Sequence, residues 1–235
     1  MRAAAFFDMD DTLTVEDSDR LWLRYLKRAG LLTLRHRAAV FGLMVRYRLD
    51  LLTEDGLARF YGGRVRGLEL SEFERHARAF FDSIGRGAIR KGAADLVEAH
   101  RSAGRISVLL TGAIHQIAEP FGEHLNIPHV LATHLEIRGG QFTGRPAGPL
   151  CYREGKVRRA RAFAEEHGID LAASWYYGDS ITDLPMLQAV GNPVAVSPDR
   201  LLSREARRRG WPVVREFGSG DLPPAVPPIK EAPAP

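Results

Sequence analysis

The feature that most constrains this chain is a change of character at its amino terminus. Ala3-Ala4-Ala5-Phe6-Phe7 is uninterrupted apolar sequence, and Asp8-Met9-Asp10-Asp11 follows with three acids in four positions. A short apolar run without polar alternation reads as a strand buried on both faces, as the central strands of a parallel α/β sheet do. Ligands of such sheets bind beyond the carboxyl ends of the strands, so carboxylates delivered there mark a candidate active site. Crowded carboxylates repel and shift one another's pKa, a cost that needs a cation or a reaction to offset it. A hard divalent cation such as Mg²⁺ suits a set of oxygen donors.

The same design recurs downstream. Arg105-Ile106-Ser107-Val108-Leu109-Leu110-Thr111 reads as a strand entering a small-residue loop, Thr111-Gly112-Ala113. Ser174-Trp175-Tyr176-Tyr177 reads as another, ending in a second acidic loop, Gly178-Asp179-Ser180-Ile181-Thr182-Asp183-Leu184-Pro185. Pro185 fits the first turn of a helix capped by Thr182 or a neighbour. Helices are expected over 91–103, 114–125 and 154–167, the last stopped by Gly168. Pro128 to Leu131 and His134 to Ile137 read as short strands, and Gly139-Gly140 as a hairpin turn into Gln141-Phe142-Thr143. Asn192 to Val196 is a further strand, Ser197-Pro198 caps a helix to about Arg209, and Trp211 to Val214 is a last edge strand.

Between Asp17 and Gly85 only helical patterns occur. Asp17 caps a helix carrying Leu21, Trp22, Tyr25 and Leu26 as far as Gly30. Thr33 opens a second towards Asp50, Thr53 a third ending near Gly62-Gly63, and Ser71 with Glu74 forms a capping box for a fourth. The expectation is an α/β chain with a Rossmann-like three-layer core and a central, mostly parallel sheet, built from residues 1–16 and 86–216. A helical-bundle cap spans 17–85, and a proline-rich tail, 217–235, reads as disordered, with a ligand for a partner domain as the sharper alternative.

Composition narrows the function classes. With Lys+Arg 33 against Asp+Glu 29 the formal charge is +4, a mildly basic balance that favours anionic ligands such as phosphate esters. The arginines are scattered without an aromatic stacking platform, which argues against nucleic acid as a partner. One cysteine, Cys151, allows no intramolecular disulfide and reads as a packing residue; a cytoplasmic location is expected. Only five apolar residues precede Asp8, too few for a signal peptide. The most apolar run, Ala38 to Val45, is bracketed by Arg35, Arg37, Arg46 and Arg48 too closely for a span of ~20 residues, so stable membrane insertion is not expected and only peripheral contact stays open. Monomer and homodimer are equally compatible with the sequence.

Taken in order, Asp8-Met9-Asp10-Asp11-Thr12, Thr111-Gly112, Lys156 and Gly178-Asp179-Ser180-Ile181-Thr182-Asp183 resemble the four motifs of the haloacid dehalogenase (HAD) superfamily phosphatases. The helical insertion just after the first motif is similar to subfamily IB, the branch of phosphoserine phosphatases and histidinol-phosphatases. The resemblance covers roughly residues 3–215. A lone Asp-x-Asp is common, whereas four motifs in order with sheet-compatible context are specific.

Phosphomonoester hydrolysis needs a nucleophile, a proton for the leaving alkoxide and neutralisation of charge. Asp8 can attack phosphorus to form an aspartyl-phosphate, and Asp10 can serve first as acid and then as base. Mg²⁺ would link the Asp8 carboxylate, the Asp10 backbone carbonyl and Asp179, with Asp183 holding a metal-bound water or orienting the shell. The Thr111 hydroxyl, the Gly112 amide and the Lys156 ammonium would meet the phosphate oxygens. Competing structural readings are a strand end for Thr111, a solvated basic face for Lys156 and a helix-dipole acid for Asp183.

Some positions depart from the phosphoserine phosphatase pattern. Where those enzymes usually carry a glutamate that reads the serine ammonium, this chain has Asp17, with Glu16 one residue early. Thr182 replaces the usual Asn, and the second motif lacks Ser-Gly-Gly. Asp17 can still pair with an amine, so the expected substrate is a small phosphorylated amine or amino alcohol, of the histidinol phosphate or phosphoserine type. A sugar, glycerol or lipid phosphate, or a non-catalytic phosphate- or Mg²⁺-binding module, are the alternatives.

Overall fold

In the computed structural model residues 2–31 and 54–217 are described. The chain enters through β1 (Ala4–Phe7), whose four residues are all fully buried. Three helices follow: α1 (Ser18–Arg28), α2 (Glu54–Val65) and α3 (Leu70–Phe80), the last running on through a wider turn at Phe81–Gly85. Then come α4 (Ala93–Ser102), β2 (Ile106–Ile114), α5 (His115–His124), β3 (His129–Thr133) and the hairpin β4 (Leu135–Arg138) and β5 (Gln141–Pro146). The chain closes through α6 (Glu154–His167), β6 (Trp175–Gly178), α7 (Leu184–Ala189), β7 (Asn192–Val196), α8 (Arg200–Arg209) and β8 (Val213–Val214). The helix expected from Thr33, its segment Ala38 to Val45, the Thr53 cap and the tail from Gly218 lie outside the described residues.

Six strands form one sheet in the order β3-β2-β1-β6-β7-β8, and every pairing is parallel. From β1 the chain winds outward through β2 and β3, then returns to the other side of β1 at β6 and winds outward again. The reversal leaves a crevice at the carboxyl ends of β1 and β6, the place where ligands bind in doubly wound sheets. Both acidic loops lie there.

Each face of the sheet has its own apolar cluster. Ala4, Phe6, Val108, Leu110 and Tyr176 pack on α6, α7 and α8 through Val157, Phe163, Leu187 and Leu202. Ala5, Phe7, Leu109 and Tyr177 face the other way, and there the cluster continues without a break through Phe121 to Phe80, Phe73, Trp22 and Tyr61. The helices α1 to α3 therefore share one core with that face of the sheet.

The hairpin ties the insertion to the sheet. Gly139 and Gly140 turn it with φ of 57° and 80°, a conformation glycine adopts freely. The segment between α2 and α3 pairs with it as a third strand would: Gly67 N–H donates to Phe142 O, Phe142 N–H to Leu68 O and Leu70 N–H to Gly140 O, at 2.8, 3.0 and 2.8 Å. Gly62 packs on Gly144 so closely that a Cβ would lie 1.9 Å from the Gly144 oxygen. This docking explains one departure from the sequence reading. The Ser71–Glu74 capping box does not form; α3 starts at Leu70, whose N–H is held by the hairpin.

Other boundaries shift for similar reasons. β2 does not stop at Thr111 but runs to Ile114, with a register shift against β3, because Thr133 Oγ1 donates to Gly112 O at 2.9 Å and holds the strand end to its neighbour. Asp199, rather than Ser197-Pro198, caps α8, its Oδ1 accepting from Leu202 N–H at 2.7 Å. Phe217, placed by sequence at the head of the tail, is buried against Gly92. No helix among the described residues is long and apolar enough to cross a membrane.

Candidate active site

Beyond β1 the backbone turns sharply. Asp10 is extended at φ −67°, ψ 131°, and Asp11 takes φ 54°, a left-handed conformation that aspartate tolerates better than most residues. The turn is held by Thr14, whose N–H and hydroxyl both donate to Met9 O, at 2.9 and 3.0 Å. Arg90 clamps it from outside, with Nε on Thr12 O at 2.9 Å and Nη2 on Asp11 O at 2.7 Å. As a result the Asp8 and Asp10 side chains point to different surroundings.

Asp8 faces the sheet crevice, and its Oδ1 accepts from Lys156 Nζ at 2.8 Å. The same ammonium donates to Asp183 Oδ1 at 2.7 Å and to the Tyr176 hydroxyl at 3.0 Å. Tyr176 in turn donates to Asp183 Oδ1 at 2.7 Å. Asp8, Lys156 and Asp183 are 6, 5 and 1% exposed, so all three N–H donors of the ammonium are spent on buried acceptors and what it offers a ligand is charge. Burial pushes Asp8 up to about 7, with Lys156 pulling down and Asp183 pushing up. Burial alone would lower Lys156, but Asp183 and Asp8 hold it well above the ordinary lysine range, and it stays protonated.

Asp179 completes the group. One oxygen each of Asp8, Asp179 and Asp183 lie within 4.8 Å of one another. Burial, then Asp183 and Asp8, raise Asp179 well above the carboxylate range. With all three ionised, the carboxylates would outnumber the ammonium by two charges, and the donors are oxygen alone. That donor set fits a divalent, oxygen-seeking cation such as Mg²⁺. Asp199 braces the loop, with Oδ2 accepting from Ser180 Oγ at 3.1 Å and from Ile181 N–H at 2.8 Å.

Asp10 points towards the helical insertion, its Oδ1 accepting from the Ser18 N–H at the start of α1 at 2.7 Å. Burial, then Asp17 and Asp8, raise it well above the usual range, which keeps a proton on it more readily. Thr111 is fully buried near the carboxyl end of β2, its Oγ1 accepting from Ala113 N–H at 3.2 Å, and Gly112 follows it. Asp17 caps α1, accepting from Arg20 N–H at 3.1 Å.

From Ser18 a cavity of ≈ 230 Å³ extends between the insertion and the carboxyl end of β2. Its walls are mostly apolar, with Trp22, Tyr61, Phe73, Ile114 and Ile117 prominent, and Asp19 and Arg64 among its polar lining. Asp17 does not line it.

Sequence reasoning missed several of these residues. Tyr176 carried a usable signal, since a phenol in a buried strand must find a hydrogen-bonding partner. Asp199 carried one too, standing just before a helical run. Arg90 and the Asp19–Arg64 pair had none, because their partners are brought by tertiary packing. Cys151 is fully buried, its thiol is pushed up to about 12 by burial, and it donates to Leu131 O at 3.4 Å, as suits a packing residue.

A family model described as haloacid dehalogenase-like hydrolase matches residues 5–188. A histidinol-phosphatase of Neisseria meningitidis is 32% identical over 222 residues, covering 91% of this chain and 99% of that protein. A phosphoserine phosphatase of Mycobacterium tuberculosis is 32% identical over 223 residues, covering 92% and 71%. Among solved structures, a protein of unknown function from Bordetella pertussis superposes with a TM-score of 0.83 at 33% identity, covering 92% of this chain and 99% of that one.

Proposed function

This chain belongs to the haloacid dehalogenase-like hydrolases, an enzyme family in which its relatives carry the name of phosphatase, and from that premise we propose how its own residues act. It hydrolyses a small phosphomonoester through an aspartyl-phosphate on Asp8, with Asp10 as the proton carrier and the helical insertion, residues 17–85, as a cap over the site. The observation that carries this reading is the divergence of the two acids: Asp8 lies against Lys156 in the crevice with Asp179 and Asp183, whereas Asp10 accepts from the N–H of Ser18, a residue that lines the cavity.

In the first step an Asp8 oxygen attacks phosphorus, the bond to the ester oxygen breaks, and Asp10 gives its proton to the departing alkoxide. In the second, water attacks the phosphorus of the aspartyl-phosphate, Asp10 takes back a proton, and Asp8 is released with inorganic phosphate. Thr111 and the Gly112 amide receive the phosphate oxygens, and the Lys156 charge offsets the negative charge gathered there. Asp8, Asp179, Asp183 and the Asp10 carbonyl would hold Mg²⁺, which supplies charge neutralisation at the phosphoryl group when bound.

The leaving group carries an amine. Support comes from the carboxylate of Asp19, which lines the cavity, and from relatives named for histidinol phosphate and phosphoserine, both primary amines.

The test is phosphate release from L-histidinol phosphate, O-phospho-L-serine and p-nitrophenyl phosphate with Mg²⁺, with Asp8→Asn in parallel. Turnover should fall on the order of a thousandfold or more in the variant. Equal rates in the two proteins would remove Asp8 as nucleophile, and absence of turnover with every ester would favour a phosphate-binding module.

A further inference from the structure

The cavity beyond Ser18 has a polar pair that the chemistry at phosphorus does not use. Asp19 lies in the first turn of α1, and its Oδ1 is 3.5 Å from Arg64 Nη1 on α2, a loose contact for an ion pair in a half-enclosed site. Arg64 Nη2 is buried and has no hydrogen-bond partner among the described residues. The guanidinium stacks on the Phe60 ring at 4.8 Å instead of closing on the carboxylate. An Asp–Arg pair that served only the fold would be expected to close with two parallel hydrogen bonds.

Acidic side chains act on this end of the cavity. Tyr61, which lines the cavity, has its hydroxyl raised well above the usual range by burial and then by Asp19, Asp10 and Asp17 together. Burial and Asp17 likewise raise Asp19 to about 6, against the pull of Arg64. Trp22, Tyr61 and Phe73 line the same cavity as Asp19, and aromatic faces attract cations as well as apolar groups. Asp17 is placed differently: its carboxylate accepts the Arg20 N–H and does not line the cavity.

We infer that Asp19, and not Asp17, selects the leaving group, by receiving an ammonium group from a substrate whose apolar body lies against Trp22, Tyr61 and Phe73. The inference rests on the phosphatase reading and narrows it: the alcohol released is a bulky, largely apolar amino alcohol. A cavity of ≈ 230 Å³ walled by aromatic and branched side chains would leave a serine-sized body poorly packed.

Binding of leaving-group analogues to the full chain tests this without turnover. The probes are 2-phenylethylamine and its neutral counterpart 2-phenylethanol, titrated by calorimetry. The amine should bind at least about tenfold tighter to the unsubstituted protein, and Asp19→Asn should bring the ratio close to one. Asp17→Asn, which can still cap α1, should leave the preference standing, and Asp19→Glu should restore most of it. Equal affinities in the unsubstituted protein, a preference that survives Asp19→Asn, or its loss in Asp17→Asn instead, would each overturn the assignment. Because no ester is cleaved, failure here is separate from failure of Asp8→Asn to abolish phosphate release.

Discussion

Tyr176 and Tyr177 are neighbours on β6, both fully buried, and they serve opposite faces of the sheet. Tyr176 joins Lys156 and Asp183 beside the crevice. Tyr177 stacks on Phe7 at 5.2 Å between ring centres and meets His100 Nε2 at 2.8 Å. Arg105, a donor only, reaches His100 Nδ1 at 3.2 Å, so the ring's proton sits on Nε2 and is given to the tyrosine. Burial pushes both networks towards neutrality. On the Tyr177 face it succeeds, driving His100 down to about 3, with Arg105 adding to the effect. On the Tyr176 face Lys156 is kept charged by the carboxylates around it. In one network the buried imidazole is left neutral, in the other the ammonium stays charged beside carboxylates, and only the second holds buried charge beside the crevice.

The largest break in this comparison should come from Lys156→Met. It leaves Asp8 and Asp183 buried without their cation, and denaturant unfolding should show a loss of about 3–5 kcal/mol. A loss below about 1 kcal/mol would mean that the ammonium does not compensate the cluster.

Next is the pH dependence of the neutral network. The unfolded His100 binds a proton near 6.5 and the folded one only near 3, so the unfolded state takes up more protons across that window. Its contribution is whole above pH 6.5 and is lost as pH falls, by about 2 kcal/mol at pH 5. His100→Gln should flatten the slope of stability between pH 7 and 5; an unchanged slope would place the titrating group elsewhere.

The smallest effect separates the faces most cleanly. Tyr176→Phe and Tyr177→Phe should each cost about 1 kcal/mol of stability, the worth of a hydrogen bond. Only Tyr176→Phe should also lower kcat, because only its hydroxyl touches Lys156 and Asp183. Equal losses of kcat would erase the distinction.

The alternation of strands and helices was legible because it rests on local signals: apolar runs, capping residues and glycine stops such as Gly168, which is left-handed. The acids at the ends of β1 and β6 were legible for the same reason. Less visible were features whose cause is remote in sequence. The start of α3 depends on the hairpin more than sixty residues away, and the extension of β2 depends on Thr133.

The amino-acid sequence by itself determined the ends of β1 and β6, the acids placed there, and the order of these acids and of Lys156 between them along the chain. Only the tertiary structure decided what each group faces. Asp17 and Asp19 are two residues apart at the start of one helix, and a helix turns about 100° per residue, so they point to nearly opposite sides. Helical periodicity relates such positions to one another but says nothing of which side meets the cavity. That was settled by the packing of Trp22 on Phe73 and Phe80, contacts that turn α1 so that Asp19 lines the cavity and Asp17 caps its own helix.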